Sequence, residues 1–310
     1  MSQKCKMGSS DVYSVASPNA LARFTTAFSK LIIVPDSEFT LTSFGRLAAL
    51  LLAMLLLLES VAAWIGLFLA RLNGKAWLAD HDGPRAPWNR FAETTVLALV
   101  LILLSLHLAP KIDPFPPRTD PDPLTTHRLV SHVILTGGIA LLLTAILTGS
   151  RRPLAEYGMT FKAFGAQVRD GIDGYLLALL PTSMLMLLTS PFRNQDTRNA
   201  LLSLLSESPD IVTVVLIGIA AVVLAPFYEE MMFRVVLQGW LSSIVRPGVA
   251  IPIVAVAFGA IHGFPDGIAL LPLAGALGYM FHRRHSYVSV VVIHGLFNGT
   301  MLTLALLIQE

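Results

Sequence analysis

Long apolar runs, separated by short polar segments, dominate the chain from residue 47 onwards. Eight runs approach the roughly 20 residues that an α-helix needs to cross the hydrocarbon core of a bilayer. They lie at 47–70, 91–109, 129–149, 174–192, 211–228, 248–264, 267–281 and 286–308. The sixth and seventh are short and are joined by a Gly-Phe-Pro-Asp-Gly turn, which favours tilted helices or a helical hairpin. The pattern predicts an all-α, polytopic transmembrane helical bundle of about eight spanning helices.

Composition agrees with a membrane environment. The 310 residues are 54% hydrophobic and 14% charged, whereas about a quarter of the residues of a soluble domain are charged. The net charge of +2 and the scattered basic residues give no footprint for nucleic acid, and the single cysteine, Cys5, cannot form an internal disulfide. We expect a multi-pass protein of the plasma (inner) membrane, with membrane lipid as its surroundings and no nucleic-acid partner.

The chain divides into an N-terminal tail at 1–46, N-terminal transmembrane helices at 47–170 and a transmembrane core at 171–310. Its loop lysines and arginines fall unevenly on the two sides of the membrane. One side collects Arg71, Lys75, Arg85, Arg90, Arg151, Arg152, Lys162, Arg169, Arg246, Arg283 and Arg284. The opposite loops hold Lys111, Arg118, Arg128, Arg193 and Arg198. Because basic loops stay in the cytoplasm, the richer side is predicted to be cytoplasmic.

Two adjacent glutamates follow the uncharged run at 211–228. An ionisable group at the centre of a membrane helix costs about 2.5 to 3.5 kcal/mol on insertion scales, so each one needs a partner or a function. Glu230 and Arg234 stand one helical turn apart, which predicts an ion pair. Glu229 is rotated about 100° from Glu230 and is left to face a cavity. The alternative is that both glutamates are interfacial residues at a helix end.

Two further polar pairs lie in later apolar runs, each on one helical face: Phe258 with His262, and His294 with Asn298. A lone histidine in such a run is more often a packing residue, but a cluster changes that expectation. Glutamate, two histidines and an amide are the groups needed to activate a water and to stabilise the oxyanion formed at a carbonyl. Glu229, His262 and His294 equally make a three-ligand set for catalytic zinc. The residues alone leave the metal undecided.

The ordered set of motifs resembles the CAAX protease and bacteriocin-processing (CPBP, ABI) family of intramembrane endopeptidases, and is similar to type II CAAX prenyl endopeptidases. The motifs are Glu229-Glu230-x-x-x-Arg234, Phe258-x-x-x-His262 and His294-x-x-x-Asn298. The resemblance covers roughly residues 170 to 310, so it makes 171–310 the expected catalytic core.

The resemblance implies that Glu229 activates the water with His262, and that His294 and Asn298 stabilise the oxyanion. Glu230, Arg234 and Phe258 are then supporting residues. The expected enzyme is a CAAX-protease-like intramembrane metalloendopeptidase that hydrolyses a membrane-associated or lipidated protein or peptide, although its chemistry can be written without a metal. The alternatives are a catalytically silent membrane adaptor or a proton-coupled carrier on the same helical bundle.

Overall fold

The computed structural model describes residues 41–75, 78, 81–112, 125–193, 204 and 211–308. Its principal helices are α1 (Leu41–Leu72), α2 (Phe91–Ile112), α3 (Thr126–Thr148), α4 (Phe164–Thr189), α5 (Ile211–Ile244), α6 (Pro247–His262), α7 (Leu271–Arg284) and α8 (Tyr287–Ile308). The described residues contain no strand, which confirms the all-α prediction. Helix α1 begins six residues before the predicted start of the first span, and the division of the chain at residue 46 stays a prediction. Cys5 lies outside the described residues.

Six helices of the described chain, α1 to α5 and α8, are long and apolar enough to cross a membrane. The chain is therefore an integral multi-pass membrane protein. Helices α6 and α7 have 16 and 14 residues, or about 24 and 21 Å at 1.5 Å per residue, less than the roughly 30 Å of a hydrocarbon core. They form the short hairpin that the sequence left as an alternative to two full spans.

Helix α5 is longer than the predicted run at 211–228, because it continues to Ile244. The two glutamates therefore lie inside a helix, and the interpretation that they mark a helix end is wrong. The helix is also irregular: wider π-helical segments at Ile219–Leu224 and Met231–Gln238 flank an α-helical turn at Ala225–Glu230. Such π segments are often found at functional sites.

Helix α1 is attached to α4 where a proline interrupts the α4 hydrogen-bond ladder. Pro181 has no amide hydrogen, so the Leu177 carbonyl one turn earlier loses its helical donor. The indole N–H of Trp64 in α1 donates to this carbonyl at 3.0 Å. Ser60, one turn before Trp64, donates to the Leu176 carbonyl and accepts from the Leu180 amide at 3.1 Å. Polar groups of α1 thus replace the bond that the proline removes.

The loops on one face of the bundle are joined by backbone hydrogen bonds. The His81 amide donates to the Arg283 carbonyl at 2.8 Å, the Ala86 amide to Glu156 and the Tyr287 amide to Gly158, both at 2.9 Å. These loops carry many of the basic residues that the sequence assigns to one side. The structure places these loops together, and their cytoplasmic location stays a prediction.

Two buried side chains on this face, those of Tyr157 and His285, have shifted pKa values. Tyr157 donates to the Glu93 carboxylate at 2.6 Å, and Glu93 also accepts from Arg152 Nε at 3.0 Å. Burial, followed by the hydrogen bond to Glu93, raises the pKa of Tyr157 to about 12. His285 donates through Nε2 to the Glu156 carbonyl at 2.9 Å, and its burial lowers its pKa to about 4. The α3 to α4 connection is therefore tied to α2 through Tyr157 and to the α7 to α8 connection through His285.

Candidate active site

The middle of α5 presents two carboxylates in different directions. Glu230 and Arg234 are both 0% exposed, and the Arg234 Nε donates to Glu230 Oε2 at 2.9 Å. The structure thus contains the ion pair that the spacing predicts. An isolated charge in this position would be costly, so the pair explains how both side chains are accommodated in an apolar helix. The Arg234 guanidinium also lies 5.4 Å from the centroid of the Phe258 ring, close enough for a cation–π contact.

The His294 ring joins both glutamates. Its Nδ1 lies 2.8 Å from Glu230 Oε1, and its Nε2 lies 4.0 Å from Glu229 Oε2. Glu230 already accepts from the Arg234 guanidinium through Oε2, so its other oxygen, Oε1, accepts from the imidazole Nδ1–H. In a neutral His294 ring the Nε2 then carries a lone pair directed towards Glu229.

Helix α6 brings His262 to the same carboxylate. Glu229 lies 15 residues before the end of α5 (from 229 to 244), about 22 Å along the helix, and α6 returns about 24 Å from that end to His262. The His262 Nδ1 lies 2.8 Å from the Phe258 carbonyl, which can only accept, so Nδ1 carries the hydrogen. Its Nε2 faces Glu229 Oε2 at 3.8 Å.

Three hydrogen-bond acceptors therefore converge without a donor between them. Glu229 Oε2 is buried and has no hydrogen-bond partner among the described residues. The nitrogens that face it, Nε2 of His262 and of His294, lack hydrogens when the rings are neutral. Lone pairs of like polarity repel, so this point requires a proton, a cation or a water that donates hydrogen bonds. A water can donate to two of the three acceptors.

Phe258 forms one wall of the site. Its ring centroid lies 4.6 Å from that of His262 and 5.7 Å from that of His294, and the ring is completely buried. The edge of one ring meets the face of another between Phe258 and His294 and also between Phe258 and Phe233, whose centroid is 5.2 Å away. Packing of this kind fixes the orientation of the two imidazoles, and the supporting role of Phe258 stays a prediction.

Asn298 lies one turn after His294, on the same face of α8. Its side-chain amide donates to the Ala221 carbonyl of α5 at 2.8 Å. The structure thus brings Glu229, His262 and His294 together directly, whereas Asn298 contacts the α5 backbone. The roles assigned to these four residues remain predictions.

A zinc site on Glu229, His262 and His294 is not formed in this arrangement. Both Nε2 atoms have the correct tautomer for a ligand, but they lie 3.8 and 4.0 Å from the carboxylate oxygen. Tetrahedral zinc with bonds of 2.0–2.1 Å needs ligand atoms about 3.3 Å apart. No set of three His, Cys, Asp or Glu side chains in the described chain is arranged to hold a metal ion.

Two polar residues next to the site were missed by the sequence analysis. The Tyr287 hydroxyl donates to the Phe227 carbonyl, and the two rings pack edge to face at 5.3 Å. The Gln238 amide, 1% exposed, donates to the Gly278 carbonyl at 2.8 Å and links α5 to α7. Gln238 follows Arg234 by one turn in an apolar helix, so the criterion used for the glutamates would have found it. Tyr287 stands at a helix start and gives no such signal.

Residues 211–300 match a family model described as Rce1-like, type II CAAX prenyl endopeptidase. This match contains all three motifs and confirms the predicted family resemblance. Comparison with curated proteins and with solved structures gives no match. The domain boundary at residue 170 stays a prediction.

Proposed function

We propose that this chain, whose residues 211–300 match the type II CAAX prenyl endopeptidases, is an intramembrane endopeptidase that uses Glu229 and His262 to activate a water. The observation that carries the proposal is the convergence of three acceptors, Glu229 Oε2 and two imidazole Nε2 atoms, at separations of 3.8 and 4.0 Å. A water at this point donates one hydrogen to Glu229 and the other to His262. Its oxygen lone pairs then face the substrate.

In the first step Glu229 takes a proton from the water while the oxygen attacks the carbonyl carbon of the scissile peptide bond. The carbonyl π electrons move to the oxygen and form an oxyanion. Before the attack His294 takes up a proton from solvent on Nε2, donates a hydrogen bond from it to this oxyanion and keeps the proton throughout, because Glu230 on Nδ1 stabilises the positive ring. A positioned base contributes typically 10² to 10⁴ in rate, and an oxyanion donor about 10² to 10³.

In the second step the oxyanion collapses and the C–N bond breaks. Glu229 returns its proton to the leaving nitrogen, so the water has supplied OH to the carbonyl carbon and H to the amine. Glu230 and Arg234 take no proton, and they hold the His294 ring in position. Every proton movement uses a side chain that lies next to the convergence point.

The proposed substrate is a membrane-associated or lipidated protein or peptide, and the proposed location is the plasma (inner) membrane. The site lies inside the helical bundle, between α5, α6 and α8. Phe264, two residues after His262, packs edge to face on Phe192 at 5.4 Å, and both side chains are exposed. An exposed aromatic pair beside His262 favours an apolar approach, as a lipid-attached chain requires.

The test is cleavage of a library of membrane-anchored peptides, half of them with a lipid-modified cysteine, by the protein in lipid nanodiscs. We expect wild-type cleavage, a loss of about 10² to 10⁴ in rate for Glu229→Gln, and a comparable loss for His262→Ala. Glu59→Gln is the matched control, because Glu59 is an exposed glutamate of α1. Its rate should equal that of the wild type.

Two other outcomes would change the proposal. Cleavage that stops in EDTA and returns with zinc would keep the endopeptidase and replace the metal-free mechanism. If the wild type cleaves no peptide although it is folded, the endopeptidase proposal fails. Charge movement that depends on Glu229 would then identify a carrier, and binding to a membrane partner that survives Glu229→Gln would identify an adaptor.

A further inference from the structure

The Ala221 carbonyl of α5 receives neither the α-helical nor the π-helical main-chain hydrogen bond. The Ala225 amide donates to the Ala220 carbonyl, which is the i→i+5 bond of a π segment. The Ala225 amide therefore does not donate to the Ala221 carbonyl, which would be its acceptor in an ordinary α-helix. The next amide in the π-helical register would belong to residue 226, which is a proline and has no N–H. Neither of the two amides that a helix could direct at the Ala221 carbonyl, those of residues 225 and 226, therefore donates to it.

Asn298 of α8 supplies the missing hydrogen. Its Nδ2 donates to the Ala221 carbonyl at 2.8 Å. The two helices are close here because Gly295, one turn before Asn298, has no side chain: a Cβ on it would lie 2.9 Å from the Val222 carbonyl oxygen. In an apolar environment an unpartnered carbonyl is costly, so this side-chain bond substitutes for a helical one.

We propose that Asn298 is a positioning residue: it replaces the amide that Pro226 lacks and so fixes the register of α5 against α8. One turn of α8 then touches α5 at two points, His294 at Glu230 and Asn298 at Ala221, on the two sides of Pro226. Two contacts define the rotation of the intervening turn, which carries Glu229. This assignment differs from the oxyanion role that the family resemblance implies for Asn298.

The catalytic part of this inference rests on the proposed function, whereas the structural part does not. If Asn298 acts by aligning Glu229, its removal should affect folding and the rate together. If it acts on the oxyanion, its removal should lower the rate and leave the unfolding temperature unchanged. A second substitution separates these cases, since alanine at position 226 restores a main-chain amide that can donate to Ala221.

The experiment compares wild type, Asn298→Ala, Pro226→Ala and the double variant in nanodiscs, by thermal unfolding and by kcat on a cleaved peptide. We expect Asn298→Ala to lower the unfolding temperature and to reduce kcat about 10- to 100-fold, as a displaced catalytic group does. The double variant should recover the unfolding temperature and most of kcat. Asn298→Ala with Pro252→Ala is the matched control, since Pro252 lies inside α6 and its amide cannot reach Ala221.

The inference is overturned if Asn298→Ala leaves the unfolding temperature unchanged. It is also overturned if adding Pro226→Ala to Asn298→Ala recovers no more of kcat than adding Pro252→Ala does. If Asn298→Ala alone does not fold, a folded double variant with Pro226→Ala supports the inference, whereas a double variant that also fails to fold, like the one with Pro252→Ala, overturns it. A wild type that cleaves nothing would contradict the proposed function only. Whether Pro226→Ala recovers the unfolding temperature of Asn298→Ala would still show whether Asn298 replaces the missing amide of residue 226.

Discussion

His294 donates through Nδ1 to Glu230 at 2.8 Å while its Nε2 points at the neighbouring glutamate from 4.0 Å. The two adjacent glutamates therefore face the two different nitrogens of one imidazole ring. Glu230 neutralises Arg234 and fixes the ring, whereas Glu229 has an oxygen without a hydrogen-bond partner among the described residues. This asymmetry between neighbours in the chain predicts different consequences for the same substitution.

Glu230→Gln should destabilise the protein strongly. It leaves the Arg234 guanidinium buried without its carboxylate, and breaking a buried ion pair in this way costs roughly 3 to 5 kcal/mol. Glu229→Gln should cost much less, about 1 kcal/mol or below, because no protein donor loses its acceptor. Unfolding in mixed micelles measures both values. Equal losses for the two variants would contradict the separate roles of the glutamates.

Trp64→Phe should weaken the attachment of α1. The substitution leaves the Leu177 carbonyl without a donor, and polar bonds between membrane helices contribute about 0.6 kcal/mol on average and up to about 1.7 kcal/mol. Pro181→Ala should reverse this loss, since it returns the helical amide to Leu177. Resistance of α1 to denaturant, followed by a fluorescent label on its exposed face, measures the effect. A loss that Pro181→Ala leaves unchanged would assign the role of Trp64 to packing.

Tyr157→Phe should loosen the attachment of α2 to the segment between α3 and α4. The Glu93 carboxylate is completely buried and would lose its hydrogen bond from Tyr157, which is 2.6 Å long. Hydrogen bonds to charged groups contribute about 1.5 to 3 kcal/mol. We expect a lower unfolding temperature and faster proteolysis after Arg151 and Arg152. Phe161→Leu, at an exposed position of the next turn, is the control and should change neither value.

His285 should make the protein sensitive to acid. Burial, followed by the charges of Arg85 and His81, lowers its pKa to about 4 from an ordinary value of 6.5. Between these values the unfolded chain binds a proton that the folded chain does not. Stability is therefore fully present above pH 6.5 and falls as the pH drops towards 4. Unfolding temperature against pH measures this slope.

His285→Asn is the informative variant for that prediction. His285 has φ of 45°, in the left-handed region that asparagine tolerates, and the asparagine amide keeps a donor for Glu156. It should flatten the profile between pH 6.5 and 4. His127→Asn, at an exposed position, should retain the wild-type slope, and an unchanged slope in His285→Asn would show that another group titrates.

The bundle itself was predictable from sequence because it depends on local properties. A run of about 20 apolar residues is a property of consecutive positions, and so is the helical spacing that pairs Glu230 with Arg234. The family was predictable for the same reason, since its motifs are short strings in a fixed order. Gln238 gives the same local signal, a polar residue in an apolar helix, but it stands outside the three motifs.

The sequence by itself determined the helical class, the membrane environment and the set of polar residues placed in apolar helices. The tertiary structure alone decided that α5 runs through both glutamates to Ile244, that α6 and α7 form a short hairpin, and that Asn298 binds the α5 backbone. For the last of these, the physical reason lies in the prolines. Pro181 and Pro226 each free a carbonyl, but which distant side chain donates to it depends on how helices far apart in sequence pack together.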